Sequence, residues 1–178
     1  NPNETYWDGI LVSSQSVASS VIGNNITGIL PINPSAGIQV WNVKSSNPVS
    51  ISGGMISGVH RGIFVNNYDG YPSTGSDAPD GGNAQLNSTT INNCPIGIYL
   101  KDNVLSSHAG VNLSITGGVN VTGGNTGLLI ENSASSVGSD ISNTSFTGQS
   151  GDYISLSGAA MDNLLIDATA ATFDGTNG

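Results

Sequence analysis

Charged residues make up only 8% of this 178-residue chain, against roughly 25% in ordinary soluble domains. Cations are scarcest: Lys44, Arg61 and Lys101 face twelve carboxylates, and the formal net charge is −9. Nucleic acid and anionic membrane surfaces need a basic patch, so neither is expected as a partner. Cys94 is the single cysteine, which excludes an intramolecular disulfide and a thiolate zinc site. No apolar run approaches the roughly 18 residues of a membrane-spanning helix, and membrane insertion is not expected. The residues that favour helix interiors are sparse, while Gly, Asn, Ser and Thr, which disfavour them, are abundant, so long helices are not expected. A disordered acidic chain would combine high charge with few apolar residues; at 37% hydrophobic this chain reads as folded.

What the chain has is glycine, 25 residues of it, and a repeat. The pattern Gly, apolar, any residue, apolar recurs as Gly9-Ile-Leu-Val12, Gly37-Ile-Gln-Val40, Gly62-Ile-Phe-Val65, Gly97-Ile-Tyr-Leu100 and Gly127-Leu-Leu-Ile130. Tyr153-Ile-Ser-Leu156 after Gly151 is a degenerate copy. Successive glycines lie 28, 25, 35, 30 and 24 residues apart. Two residues beyond each tetrad stands Ser14, Asn42, Asn67, Asp102, Asn132 or Gly158, types that suit turns. An apolar residue precedes the Gly by six positions at Ile56, Ile91 and Val121, and Phe146 precedes Gly151 by five. A third set of alternating runs lies upstream at Val49–Ile51, Leu86–Thr90, Val111–Ile115 and Val137–Ile141. Three short strands per period predict a three-sided solenoid. Its coils would stack at about 4.8 Å, and five to six of them would form a rod of about 25–30 Å.

This repeat resembles that of the pectin-lyase-like right-handed parallel β-helices, over roughly residues 9–158. The resemblance implies an all-β, right-handed, single-stranded parallel β-helix of about five to six coils. It implies little about function, because that fold serves lyases, hydrolases, tailspikes and adhesins alike. An antiparallel sandwich would also show many short strands; the constant place of the Gly favours the solenoid. The final Phe173–Gly178 segment reads as an unfinished repeat, so a fragment of a longer repeat protein is expected. Tyr6 and Trp7 are expected to cap the first coil.

Two departures from the repeat carry the functional expectations. The copy between Val65 and Gly97 is about ten residues too long, and the excess, residues 66–83, is expected to be a lateral loop. It holds Tyr68, Tyr71 and a candidate calcium set, Asp69, Asp77 and Asp80, although the spacing matches no EF-hand. Outside that ion no cofactor is expected. Second, the middle tetrad position should point outward, since side chains alternate along a strand. There Leu11, Phe64, Tyr99 and Leu129 would form an apolar stripe marking a contact face, under a cover from the loop or a neighbour, or as a sugar platform.

Enzymes of the resembled fold use acidic calcium ligands with an Arg or Lys base, or clustered Asp beside Gly-His-Gly, and neither string occurs. If the chain is catalytic, the candidates are Asp69, Asp102, Arg61 and His60; Asp77 with Asp80 is a second carboxylate pair. The plainer readings are a surface turn for His60-Arg61, a solvated turn pair for Lys101-Asp102, and half-buried packing for Cys94. The expected function is a non-catalytic structural or adhesive module of a secreted or cell-surface protein, capable of forming filaments. Its expected partners are further copies of itself, neighbouring domains or polysaccharide. The alternative is a carbohydrate-active lyase, hydrolase or tailspike-like depolymerase.

Overall fold

The structure, a computed structural model, describes residues 8–13, 18–28, 35–41, 43, 46–67, 80–102, 109–132, 137–158 and 165–174. The expected caps Tyr6 and Trp7 lie outside them. The first coil is β1 (Asp8–Ser13), β2 (Ser20–Ile22) and β3 (Asn25–Thr27). The second is β4 (Ala36–Trp41), β5 (Val49–Ser52) and β6 (Met55–Ser57), and the third β7 (Arg61–Asn67), β8 (Asp80–Asn87) and β9 (Thr90–Asn92). The fourth is β10 (Ile96–Asp102), β11 (Ala109–Ile115) and β12 (Val119–Thr122). The fifth is β13 (Thr126–Asn132), β14 (Val137–Asp140) and β15 (Thr144–Thr147), and the sixth β16 (Ile154–Gly158), β17 (Leu165–Asp167) and β18 (Thr172–Asp174).

Each strand pairs in parallel with its equivalents one coil away, giving three six-stranded sheets. The chain is therefore an all-β parallel solenoid with three strands per coil. We call the sheets A (from β1), B (from β2) and C (from β3). The expected five to six coils run slightly high for the regular stack: about four turns are flanked on both sides, and six is reached only with the two end coils. The expected 66–83 loop also shrinks at both ends, because β7 runs to Asn67 and β8 starts at Asp80.

The sheet A tetrads stack as the repeat requires. Ile10, Ile38, Ile63, Ile98, Leu128 and Ile154 form one inward column, and Val12, Val40, Val65, Leu100, Ile130 and Leu156 another. Sheet C contributes Ile26, Ile56, Ile91, Val121, Phe146 and Phe173. Each fully buried Ile, Leu or Phe contributes roughly 1.5–3 kcal/mol, and only stacking supplies that burial.

The leading glycine has a steric cause. A Cβ at Gly37, Gly62, Gly97 or Gly127 would come within 2.4–2.5 Å of Ile56, Ile91, Val121 or Phe146, the sheet C residue of the same coil. Carbonyl oxygens of the next coil lie 2.5–2.8 Å away. The two sequence patterns are thus one packing contact seen from opposite sides of the coil. Corners have a different cause. After sheet C, Gly58, Asn93, Gly123 and Gly148 stack with φ of 51–69°, a region where only Gly and Asn sit readily. Asparagine ladders add to the stack: Asn112 Nδ2 donates to Asn83 Oδ1 at 3.2 Å, and Asn83 Nδ2 to the Val43 carbonyl at 2.6 Å.

Candidate functional site

The outer face of sheet A gathers most of the residues singled out by sequence. Strand alternation aligns two outward columns across the coils, and a third group joins them where the alternation breaks at the tetrad glycine. One holds Leu11, Gln39, Phe64, Tyr99, Leu129 and Ser155. The next holds Ser13, Trp41, Asn66, Lys101, Glu131 and Ser157. The third group, on the N-terminal side, is Asp8, Ala36, Arg61, Ile96 and Thr126 in register, of which Ala36, Arg61 and Ile96 lie against the outward Phe64 and Tyr99.

The apolar stripe points outward as expected, but its middle is covered. Phe64 and Tyr99 are each only 5% exposed and, with Ala36, Ile96 and Leu129, form a second apolar cluster separate from the main core. No second chain is present, so this cover comes from the chain itself. Part of it is Arg61, whose guanidinium carbon lies 4.7 Å from the Phe64 ring centre and 5.3 Å from that of Tyr99. The two rings stack at 4.8 Å with planes 17° apart. Such a cation over aromatic faces contributes roughly 0.5–2 kcal/mol. Leu11, at the end of the column, is 49% exposed.

Beside this stack the Tyr99 hydroxyl donates to Glu131, and Lys101 Nζ lies 3.1 Å from the same carboxylate. Burial pushes Glu131 up, but the Tyr99 hydrogen bond, the Lys101 ammonium and Arg61 outweigh it and hold the carboxyl below its ordinary range. Burial and the hydrogen bond to Glu131 push Tyr99 above its usual range. Gln39 spans the coils on the other side. With its amide nitrogen turned toward Asp8, it donates to both Asp8 oxygens at 3.1 Å. Burial raises Asp8, and Arg61 opposes that only in part.

One carboxyl held low and another held high is the arrangement an acid–base pair needs. Distance rules out that use here. Glu131 is four coils from Asp8, roughly 19 Å at about 4.8 Å per rung, while glycoside chemistry needs about 5–9.5 Å. Glu131 is also tied to two donors, which makes it a poor proton acceptor.

The other candidates fall elsewhere. Tyr68, Asp69, Tyr71 and Asp77 lie outside the described residues, and Asp80 is placed only as the first residue of β8. Among the described residues no group of three or more His, Cys, Asp or Glu could hold a metal ion. Asp102 is not in a solvated turn. It ends β10, fully buried, between Asn67 and Asn132 in the corner column. Lys101 aligns with Glu131, and Asp102 with Asn132.

His60 does serve a turn. Its backbone N–H donates to Ser35 Oγ at 3.0 Å and its carbonyl accepts from the Ile96 N–H at 3.0 Å. Burial first, then Arg61, lowers its pKa. Arg61, expected in that turn, instead starts β7 and lies over the aromatic pair. Cys94 is fully packed rather than half-buried, and burial pushes its thiol up to about 11.

Sequence reasoning missed two sets of residues. Lys101 and Glu131 each stand four positions past a tetrad glycine, and that shared offset was the available signal. Asp140 and Asp167 occupy equivalent places in sheet B, and each accepts from the backbone N–H and the hydroxyl of the residue two positions on, Ser142 and Thr169. The recurring Asp-x-Ser/Thr string was the sign of that turn. Comparison of the chain with protein-family models, with curated proteins and with solved structures returned no match.

Proposed function

We propose that this chain is a non-catalytic rod module of a secreted or cell-surface protein, with a structural or adhesive role. The observation that supports this most is the state of the sheet A face, where β-solenoid chemistry was sought. Its central aromatic residues are buried by the chain's own contacts, and its central carboxylate is held between Tyr99 and Lys101. Outside the core, sheet C presents columns of mostly neutral hydrogen-bonding residues, Asn25, Met55, Thr90, Asn120, Ser145 and Thr172 in one and Thr27, Ser57, Asn92, Thr122, Thr147 and Asp174 in the other, interrupted by apolar Met55 and charged Asp174. Such faces suit repeated weak contacts with a polysaccharide, a neighbouring domain or further copies of the chain.

A screen of polysaccharides tests the reading. Retention on insoluble polysaccharide without release of reducing or unsaturated ends is the expected result. Release of such ends, lost on Asp69→Ala or Asp102→Ala, would establish the carbohydrate-active alternative instead. A calcium ion on Asp69, Asp77 and Asp80 belongs to the same proposal. Extracellular sites of this kind bind at about 0.1–1 mM, so a melting temperature unmoved by millimolar calcium removes the ion from it.

A further inference from the structure

The chain carries six Asn-x-Ser/Thr strings, led by Asn3, Asn25, Asn87, Asn112, Asn120 and Asn143. Such a string accepts N-linked sugar in a secreted protein. A chain this rich in Asn, Ser and Thr supplies them by composition alone, so their number decides nothing. Their placement is informative. Asn25, Asn87, Asn112, Asn120 and Asn143 are all exposed, and all lie on sheets B and C or the corner between them. The buried described asparagines, Asn66, Asn67 and Asn83, each lack a Ser or Thr two positions on. On the strands of sheet A, Asn66, Asn67 and Asn132 lead no such string.

The five sites differ in what the folded chain leaves free. On a strand, residues two apart share a face. Asn25 with Thr27, and Asn120 with Thr122, therefore stand side by side on the outside of sheet C, all four exposed. The two pairs fill the same two columns three coils apart, about 14 Å at about 4.8 Å per rung, which leaves room for two bulky groups. Asn25 Oδ1 accepts from the Met55 N–H at 3.0 Å, which holds the side chain by its oxygen and leaves Nδ2 unbonded among the described residues. The Asn120 side chain is unbonded among them as well. Asn143, with φ of 59°, sits in the corner that leads into β15, its side chain also unbonded there, and Ser145 supplies the hydroxyl.

We propose that sheet C is a glycan-bearing face, with N-linked sugar on Asn25, Asn120 and Asn143. The proposal rests on reading the chain as secreted, because the donor, an oligosaccharide on a lipid diphosphate, is met on that route. Asn Nδ2 attacks the anomeric carbon of the first sugar. The new C–N bond forms, the bond from that carbon to the diphosphate oxygen breaks, and the Nδ2 proton passes to a base of the transferase. Coil closure withdraws the other two sites. The hydroxyl that Asn87 needs, on Thr89, is buried and donates to the Gly53 and Asn87 carbonyls. Asn112 Nδ2 is itself engaged, donating to Asn83 Oδ1 in the ladder. With sugar on sheet C, sheets A and B are left as the bare protein faces.

Site-resolved mass spectrometry on the protein from its own source tests this. Digestion with peptide N-glycosidase in heavy-oxygen water turns each modified Asn into a labelled Asp. Label is expected at Asn25, Asn120 and Asn143, with less at Asn87 and Asn112. In the chain secreted from cultured eukaryotic cells, Thr122→Val keeps Asn120 but removes its hydroxyl and should abolish the label there alone, while Thr122→Ser should retain it. Both changes fall on an exposed side chain and should leave the circular dichroism spectrum unchanged. A sugar-free protein from its own source overturns the proposal. So does label at Asn87 or Asn112 equal to that on sheet C, or label at Asn120 that survives Thr122→Val. Where the protein from its own source is bare, the chain secreted from eukaryotic cells separates the causes. Label there on Asn25 and Asn120 places the failure on the secreted reading, and no label there places it on the sheet C geometry.

Discussion

Replacing Gly97 with alanine tests the packing account of the repeat most directly. The backbone at Gly97 is not in the left-handed region, so only space is at issue. The new methyl would sit 2.4 Å from Val121 Cγ1 and 2.7 Å from the Gly127 carbonyl oxygen. Val121 is buried in the core, and the carbonyl belongs to the adjacent strand, so neither neighbour can move without disturbing the stack. Overpacking of this kind costs about 1–3 kcal/mol. Alanine also stiffens the unfolded chain, which gives back about 0.4–1 kcal/mol. The net loss should be about 1–2 kcal/mol, or about 2–8 °C in melting temperature for a chain of this size. Gly118→Ala is the control, because nothing lies within 4 Å of its Cβ position and its backbone is ordinary. It should melt at the wild-type temperature or slightly above. Adding Val121→Ala to Gly97→Ala should cost less than the sum of the two single changes, since it removes half of the clash. If Gly97→Ala melts no lower than Gly118→Ala by calorimetry, the steric explanation of the tetrad glycine is wrong.

Glu131→Gln should lower the melting temperature near neutral pH by a small amount, because the ion pair is partly exposed and screened. Its folded pKa is depressed, so the stabilisation is present above the ordinary carboxylate pKa and lost as pH falls through the lower folded value; the two proteins should melt alike once the pH is below both. Tyr99→Phe keeps the ring stack and loses the hydroxyl bond to a carboxylate, a loss of about 1.5–3 kcal/mol that denaturant titration should show. In the wild type, alkaline absorbance titration should leave Tyr99 un-ionised beyond the ordinary range, and Tyr99→Phe should abolish that late step. Cys94 should resist alkylation at neutral pH in the folded chain and react once the chain is denatured, because the thiol is buried and its pKa lies near 11; mass spectrometry after a timed reaction checks this.

The solenoid was legible because its cause is local and repeats. A position without a Cβ admits the sheet C side chain, and that need writes a glycine at the head of the first five tetrads. Corner residues such as Asn93 and Gly123 were legible for a similar reason, since a left-handed backbone selects few residue types. The pairing of Lys101 with Glu131 was harder to see. It depends on the register between coils, and coils that differ in length hide which residues become neighbours. The tetrad pattern opens the strand on Gly62 and leaves Arg61 in the preceding turn, whereas β7 opens one residue earlier. Asp102 keeps the alternation: it has the inward parity of Ile98 and Leu100 and is fully enclosed at the end of β10, where its residue type alone suggested a solvated turn. The sixth coil departs from the tetrad at Gly151 and Tyr153, where a tyrosine stands in register with Gly127.

Parallel pairing between equivalent strands also determines how the rod would come apart under load. Every ladder joins residues one coil apart in the chain, so tension on the two ends meets the coils one after another instead of all at once. A coil that peels from the stack loses its hydrogen bonds in sequence, like a zip. Each released coil adds its own contour length, roughly 3.4 Å per residue. The copy from Gly37 to Gly62 spans 25 residues and that from Gly62 to Gly97 spans 35, so the extensions would be unequal, about 85 Å and about 120 Å. A rod built this way lengthens in graded steps, and the long coil at its middle sets the largest of them.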